Sequence, residues 1–117
     1  MATLGFLLTT GPYQHQNYET LAKTAEAALD KGHQVRIFMY LDGVYNPIKL
    51  QKFPDMDLLP VHRFEKLVAK GAEIIACGIC VNARGLEGGK DFIDGVRVGG
   101  LPDFAEIVGE VDRLVTL

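Results

Sequence analysis

The 117-residue chain carries only two cysteines and no run of lysine or arginine. Two thiols are too few for the disulfide framework that staples small secreted domains. Twelve basic against fifteen acidic side chains give a formal net charge of -3, with no local basic stripe set against it. A duplex nucleic-acid binder needs a basic face to neutralise phosphates, so direct nucleic-acid binding is not expected. No stretch approaches the roughly 20 apolar residues of a membrane helix. The phosphate-cradling spacings G-x-G-x-x-G and G-x-x-x-x-G-K are both missing, which argues against a nucleotide site. Met1 to Leu8 has no basic leader and only a short apolar stretch, so it reads as a first strand rather than a secretory signal. A cytoplasmic protein with no membrane partner is expected.

What is present is an ordinary globular composition, 48% hydrophobic and 23% charged. It suffices for one domain over residues 1–117 with a core that needs neither disulfide nor structural metal. The pattern alternates strand and helix. Leu4 to Thr9 is a continuous apolar run closed by Gly11-Pro12, as expected of a strand covered on both faces. From Asn17 to Lys31, Tyr18, Leu21, Ala22, Ala25, Ala28 and Leu29 recur at helical spacing, and Gly32 supplies a left-handed end. Val35 to Leu41 is a second strand, interrupted in polarity only by Arg36. A long connection follows from Asp42 to Pro60, of a length that is usually functional or hides a short helix. Val61 to Lys70 is a second helix ended by Gly71, and Ile74 to Ala76 a third strand that runs into Cys77. Val96 to Val98 is a short strand after the Asp94-Gly95 turn. Pro102 fits the first turn of a helix whose apolar face is Phe104, Ile107, Val108 and Val111. Arg113 to Leu117 reads as a final buried strand. Five strands alternating with helices predict an α/β three-layer sandwich around a mostly parallel sheet, with helices on both faces.

In such sheets the reactive groups lie beyond the carboxyl ends of the strands. The segments placed there are Thr9 to Gln14, Leu41 to Asn46 and Cys77 to Leu86. The last holds Cys77-Gly78-Ile79-Cys80. If Cys80 opens a short helical turn that Gly85 ends, backbone N–H groups would point toward its sulfur. Together with Arg84 they would favour thiolate over thiol. A thiolate is the form that attacks a disulfide or a persulfide. A zinc site is the competing reading of C-x-x-C, but structural zinc takes about four ligands. His15, His33 and His62 are scattered and have the character of helix-end or surface residues, so no metal is expected. Gly11, Pro12 and Tyr13 would form one wall of the site. Tyr45 and Asn46 would form a second, Tyr45 by packing and Asn46 by hydrogen bonding. A simple turn with a tucked aromatic explains that second segment equally well.

Four stretches together resemble the DsrE/TusD family of sulfur-relay proteins, and above all its YchN-type branch. They are Thr10-Gly11-Pro12-Tyr13, Asp42-Gly43-Val44-Tyr45-Asn46, the segment CGICVNARGL from Cys77 to Leu86, and the tail with Ile93-Asp94-Gly95-Val96 and Val111-Asp112-Arg113-Leu114-Val115. The resemblance implies a flavodoxin-like sandwich that assembles into trimers and hexamers, homomeric or with related subunits. It implies that the family's sulfur-accepting cysteine falls on Cys80, which takes a persulfide sulfur from a donor protein and passes it to an acceptor. No cofactor is implied. Cys77 departs from the single-cysteine TusD pattern, and only Arg84 stands where TusD-like members carry a more basic segment. Both departures point away from tRNA thiolation in particular. The leading expectation is therefore a sulfur carrier using Cys80, with Arg84 stabilising the anion. The rivals are a thiol–disulfide protein using Cys77 and Cys80 as a pair, and a non-catalytic oligomeric binding subunit.

Overall fold

The computed structural model describes residues 1–54 and 59–117. Five strands form one sheet: β1 (Thr3–Leu8), β2 (Gln34–Met39), β3 (Glu73–Cys77), β4 (Val96–Gly99) and β5 (Arg113–Thr116). Their order across the sheet is β4-β3-β2-β1-β5, and every ladder is parallel. The chain thus steps outward from β1 to β4 and then returns past its starting strand. Helices α1 (Asn17–Asp30) and α2 (Pro60–Ala69) connect the outward steps, while α5 (Leu101–Glu110) makes the return. Right-handed crossovers in opposite directions place these two groups on opposite faces of the sheet. Two short helices, α3 (Gly78–Ala83) and α4 (Gly88–Asp91), lie between β3 and β4. The expected α/β sandwich is the observed one.

Side-chain alternation along the strands divides the core. Phe6, Leu8, Ile37, Met39, Ile74 and Ala76 are buried on one face. There α1 buries Tyr18, Leu21, Ala22, Ala25 and Ala28, and α2 buries Val61, Phe64 and Leu67. The two helices are tied by Lys70 to Asp30 at 2.7 Å and by longer pairs from Lys66 and Lys70 to Glu26. On the other face Phe38 packs against Phe104 of α5, with ring centroids 5.2 Å apart. Arg36, the polar residue in an otherwise apolar strand, lies on that face too. Its guanidinium meets Glu73 at 3.2 Å, Glu106 at 3.0 Å and Glu110 at 2.7 Å. A strand position that looked out of pattern is therefore matched by two carboxylates one turn apart on the helix above it.

Two expectations about this face are corrected. Val108 is about half exposed. Phe104, Ile107 and Val111 already fill the i, i+3, i+7 stripe, and a residue next to Ile107 is turned about 100° away from it. The final strand is not buried: β5 is exposed along its whole length. It pairs only with β1 and forms an edge of the sheet, so Leu114 and Val115, pointing to opposite faces, stay 39% and 37% exposed.

Helices α1, α2 and α3 share one ending. In each, the residue after the cap is a glycine with positive φ (Gly32, Gly71 and Gly85), and its N–H and the next are returned to carbonyls of the last turn. Such an ending lets a helix stop and the chain turn at once. The long connection after β2 does hide a helix, a single 3-10 turn over Leu41–Tyr45, while its residues 55–58 lie outside the described residues. Gly43 in that turn presses against the end of β1: a Cβ there would collide with the Leu8 carbonyl oxygen. Asn46 finishes the join by donating its amide hydrogens to the carbonyls of Thr10 at 3.0 Å and Gly43 at 2.9 Å.

Gly43→Ala is expected to destabilise the fold by about 1–3 kcal/mol in urea denaturation, because backbone must yield to the methyl group. Gly89→Ala in α4, where an added Cβ meets no described atom within 4 Å, is the control and should leave the midpoint unchanged or slightly higher.

Candidate functional site at the exit of strand β3

Strand β3 delivers Cys77 in extended conformation (φ -65°, ψ 120°), where it caps α3. Gly78, Ile79 and Cys80 make the first turn, so the C-x-x-C spacing folds back on itself and the Cys77 side chain acts on the Cys80 thiol. Both are free and nearly inaccessible, at 2% and 5% exposure. Cys80 thus does not open the helix as expected: Cys77 occupies that place, and Cys80 is the third helical residue. Gly85 does end it, with φ 71°.

The backbone N–H that reaches Cys80 comes from a different element. Leu41, at the start of the 3-10 turn, donates its N–H to Cys80 Sγ at 3.2 Å. Leu41 does this from the left-handed region, at φ 53°, a conformation unfavourable for a bulky side chain. Strand β2 runs directly beside β3, with Met39 opposite Ala76, so the residue two beyond one strand end meets the helix that begins at the other.

Arg84 caps the far end of α3 and folds back along it. Its Nε and Nη2 both donate to Asp42 Oδ1, at 2.9 and 2.7 Å, and its Nη1 donates to the Cys80 carbonyl at 3.1 Å. The guanidinium also lies 5.8 Å from the Tyr45 ring centre. Asp42 is the group that chiefly raises the pKa of Arg84. Arg84 does favour the Cys80 thiolate electrostatically, as does the Leu41 N–H. Burial outweighs both, and the neighbouring Cys77 adds to it, so the Cys80 thiol is pushed above its ordinary value. A backbone N–H and Arg84 thus act in the expected direction, while burial tips the balance at Cys80 toward the thiol.

The residues expected to share one site are divided between two clefts. Cys77 and Cys80 lie at the floor of a cavity of about 490 Å3 walled by Tyr40, Leu41, Arg84 and the Gly99–Leu101 segment. Leu41, Ile79 and Leu101 leave apolar surface exposed at its mouth. Gly11, Pro12, Tyr13 and Tyr45 gather instead around a cleft of about 420 Å3 beyond β1, together with His15, Asp42, Ile48 and Gln51. There Tyr13, itself at φ 73°, donates its hydroxyl to Gln51 and stacks on Phe53 with ring centres 5.7 Å apart. Asn46 lies behind both walls, fully buried and committed to the two loop carbonyls. Asp42 belongs to one cleft and Arg84 to the other, and their ion pair is the partition between them. Of the remaining histidines, His33 accepts the Ala2 N–H and His62 is bonded to Glu65. Among the described residues, no three His, Cys, Asp or Glu side chains gather as a metal would require.

The sequence puts Leu41 and Asp42 at this edge of the sheet but assigns neither a part at the sulfur. Asp42-Gly43 reads as a turn, and nothing in its composition points across to Arg84. The adjacency of strands two and three carried the only signal, since it puts the ends of those strands side by side.

The rate of Cys80 alkylation by iodoacetamide, measured in Cys77→Ser to leave one thiol, should rise with a midpoint above the ordinary value of about 8.5. Arg84→Gln should raise it further by removing the favourable cation. The sign also fixes stability: a thiol that keeps its proton longer when folded contributes fully below about pH 8.5. That contribution falls away as pH climbs through the folded value, so denaturation midpoints should drop in that range by more than in Cys80→Ala.

Comparison with known proteins places these features. The DsrE/DsrF-like family model matches residues 2–117. The "Putative sulfurtransferase DsrE" of Allochromatium vinosum is 35% identical over 120 residues, covering 92% of each chain. Protein MK0008 of Methanopyrus kandleri is 35% identical over 109 residues, covering 93% of this chain and 88% of its own. In three dimensions the crystal structure of the Escherichia coli YchN protein superimposes with a TM-score of 0.91 over the whole of both chains, at 24% identity. MTH1491 of Methanobacterium thermoautotrophicum follows with 0.76 at 15% identity, again over both whole chains.

Proposed function

The chain belongs to the DsrE/DsrF-like family, and from that premise we propose that it is a sulfur-relay protein carrying a persulfide on Cys80 between a donor and an acceptor protein. The observation that carries this reading is the placement of Cys80: a recessed thiol at the floor of an apolar-mouthed cavity, with one N–H on its sulfur and a guanidinium on its carbonyl. In the loading step the Cys80 thiolate attacks the terminal sulfur of a donor persulfide. A new S–S bond forms on Cys80, the donor's S–S bond breaks, and the donor leaves as a thiolate, with no net oxidation. Unloading repeats the exchange with an acceptor thiolate. Burial of Cys80 serves both halves by withholding the sulfur from water-borne thiols and oxidants until a partner docks.

In this reading Arg84 and the Leu41 N–H stabilise anionic sulfur. Gly11, Pro12, Tyr13 and Tyr45 supply a neighbouring binding wall, and Asn46 fixes its shape. The protein works without metal or organic cofactor, in the cytoplasm. It works as a homotrimer or homohexamer, or with related subunits. The exposed Leu114 and Val115 on the edge strand and Ile79 and Leu101 at the cavity mouth are apolar surface of the kind such contacts cover.

A second reading is favoured by one observation, the influence of the Cys77 side chain on Cys80 across one turn of α3. In this reading Cys77 attacks the inner sulfur of a Cys80 persulfide. That would form the Cys77–Cys80 disulfide and release hydrogen sulfide, or let the pair act as a plain dithiol couple.

Incubation of the reduced protein with a cysteine desulfurase and cysteine, followed by intact mass and peptide mapping, separates the readings. The mass of one sulfur atom added on Cys80, retained in Cys77→Ser and lost in Cys80→Ser, is the expected result. A Cys77–Cys80 disulfide with no added sulfur would assign the pair to redox work, and an inert Cys80 would sink both.

A further inference from the structure

Asp42 stands out because its geometry exceeds the needs of the fold. Its carboxylate is 62% exposed, yet a single oxygen receives two N–H groups of Arg84. The residue before it, Leu41, is the one that donates to Cys80 Sγ, and the remaining arm of Arg84 grips the Cys80 carbonyl. Two consecutive residues of the 3-10 turn thus engage the same cysteine, one directly and one through a guanidinium.

Resting on the reading of Cys80 as the reacting sulfur, we propose that Asp42 is a positioning residue that pins the Arg84 guanidinium in the partition between the two clefts and offsets part of its charge, so that the resting sulfur feels less than the full cation. An Arg and a carboxylate in contact act on a third group as a dipole, whose field falls off faster than that of the lone cation. The pair is exposed on its Asp42 side, and exposed pairs are weak enough to be exchanged. Its release would leave Arg84, still anchored one turn from Cys80 along α3, as an uncompensated positive charge beside the sulfur.

The other ionisable groups around Cys80 leave this role to Asp42. From the two caps of α3 come Cys77 and Arg84, from the end of β2 Tyr40, and from the 3-10 turn Asp42 and Tyr45. Across the cavity, the first turn of α5 offers Asp103. Its carboxylate accepts the Gly100 N–H at 2.8 Å and meets Arg97 at 3.2 Å, so it is committed elsewhere. Asp42 is thus the carboxylate bonded to the one cation on the sulfur's own helix.

The test is the pH dependence of Cys80 alkylation by iodoacetamide, in full-length protein carrying Cys77→Ser and with no sulfur donor present. Asp42→Asn should lower the midpoint by about half to one pH unit, roughly a three- to tenfold change in the thiol ionisation constant. Asp42→Glu, which keeps the charge, should stay near the parent. In Asp42→Asn/Arg84→Gln the gain should vanish and the midpoint return to that of Arg84→Gln alone. An unchanged or raised midpoint in Asp42→Asn overturns the proposal, and so does a lowered one that survives loss of Arg84. The readout is the thiol itself, so a protein that never accepts sulfur from a desulfurase would refute the carrier reading while leaving this result to stand or fall separately.

Discussion

The hydrogen bond from the Leu41 N–H to Cys80 Sγ joins the end of one strand to the first turn of a helix that leaves its neighbour, and the site is arranged around it. For the bond to form, β2 and β3 must end level, which their parallel register ensures. The chain after β2 must then turn sharply enough to aim an N–H backward, which the left-handed Leu41 accomplishes. Strain of this kind persists only where its surroundings over-determine it. Here Gly43 lodged against Leu8, Asn46 bonded to two loops, and Asp42 bonded to Arg84 hold the turn from three sides.

Burial and charge oppose each other at the sulfur, and burial prevails. A carrier that kept its thiolate permanently exposed would react with any electrophile in reach. A recessed, protonated thiol trades resting reactivity for selectivity, and makes the arrival of a partner the event that changes its environment. The apolar side chains at the mouth and the exposed ion pair in the wall are the parts of this environment that a docking surface can alter.

Much of the architecture was legible because it rests on local patterns. The glycines after α1 and α2 and the apolar stripes of both helices announce themselves in sequence, and alternation of strand and helix implies the parallel sheet. The misreadings share a cause. Val108 and β5 are apolar, but whether an apolar residue is covered depends on what lies opposite it, which local pattern does not encode. Arg36 presents the converse, a charge whose partners on α5 are some seventy positions away. At the site, Cys77, Cys80 and Arg84 stand close together in the chain and were found together. Leu41 and Asp42, about forty positions distant, were placed at the same edge, but their bonds to Cys80 and Arg84 were not foreseen. Tyr13 and Tyr45 line one cleft, but the partition that sets it apart from the thiols is a side-chain contact invisible to spacing.

The parallel sheet also separates two kinds of labour along its length. Arg36 and its three carboxylates cluster where the strands begin, and the sulfur chemistry lies where they end. From Glu73 to Cys77 on β3 is about 13 Å, beyond the range over which substitutions usually interfere. Changes that tighten or loosen the first end can therefore accumulate without being felt at the second. A lineage of such proteins is free to adapt its stability to a new temperature while inheriting its reactive edge intact.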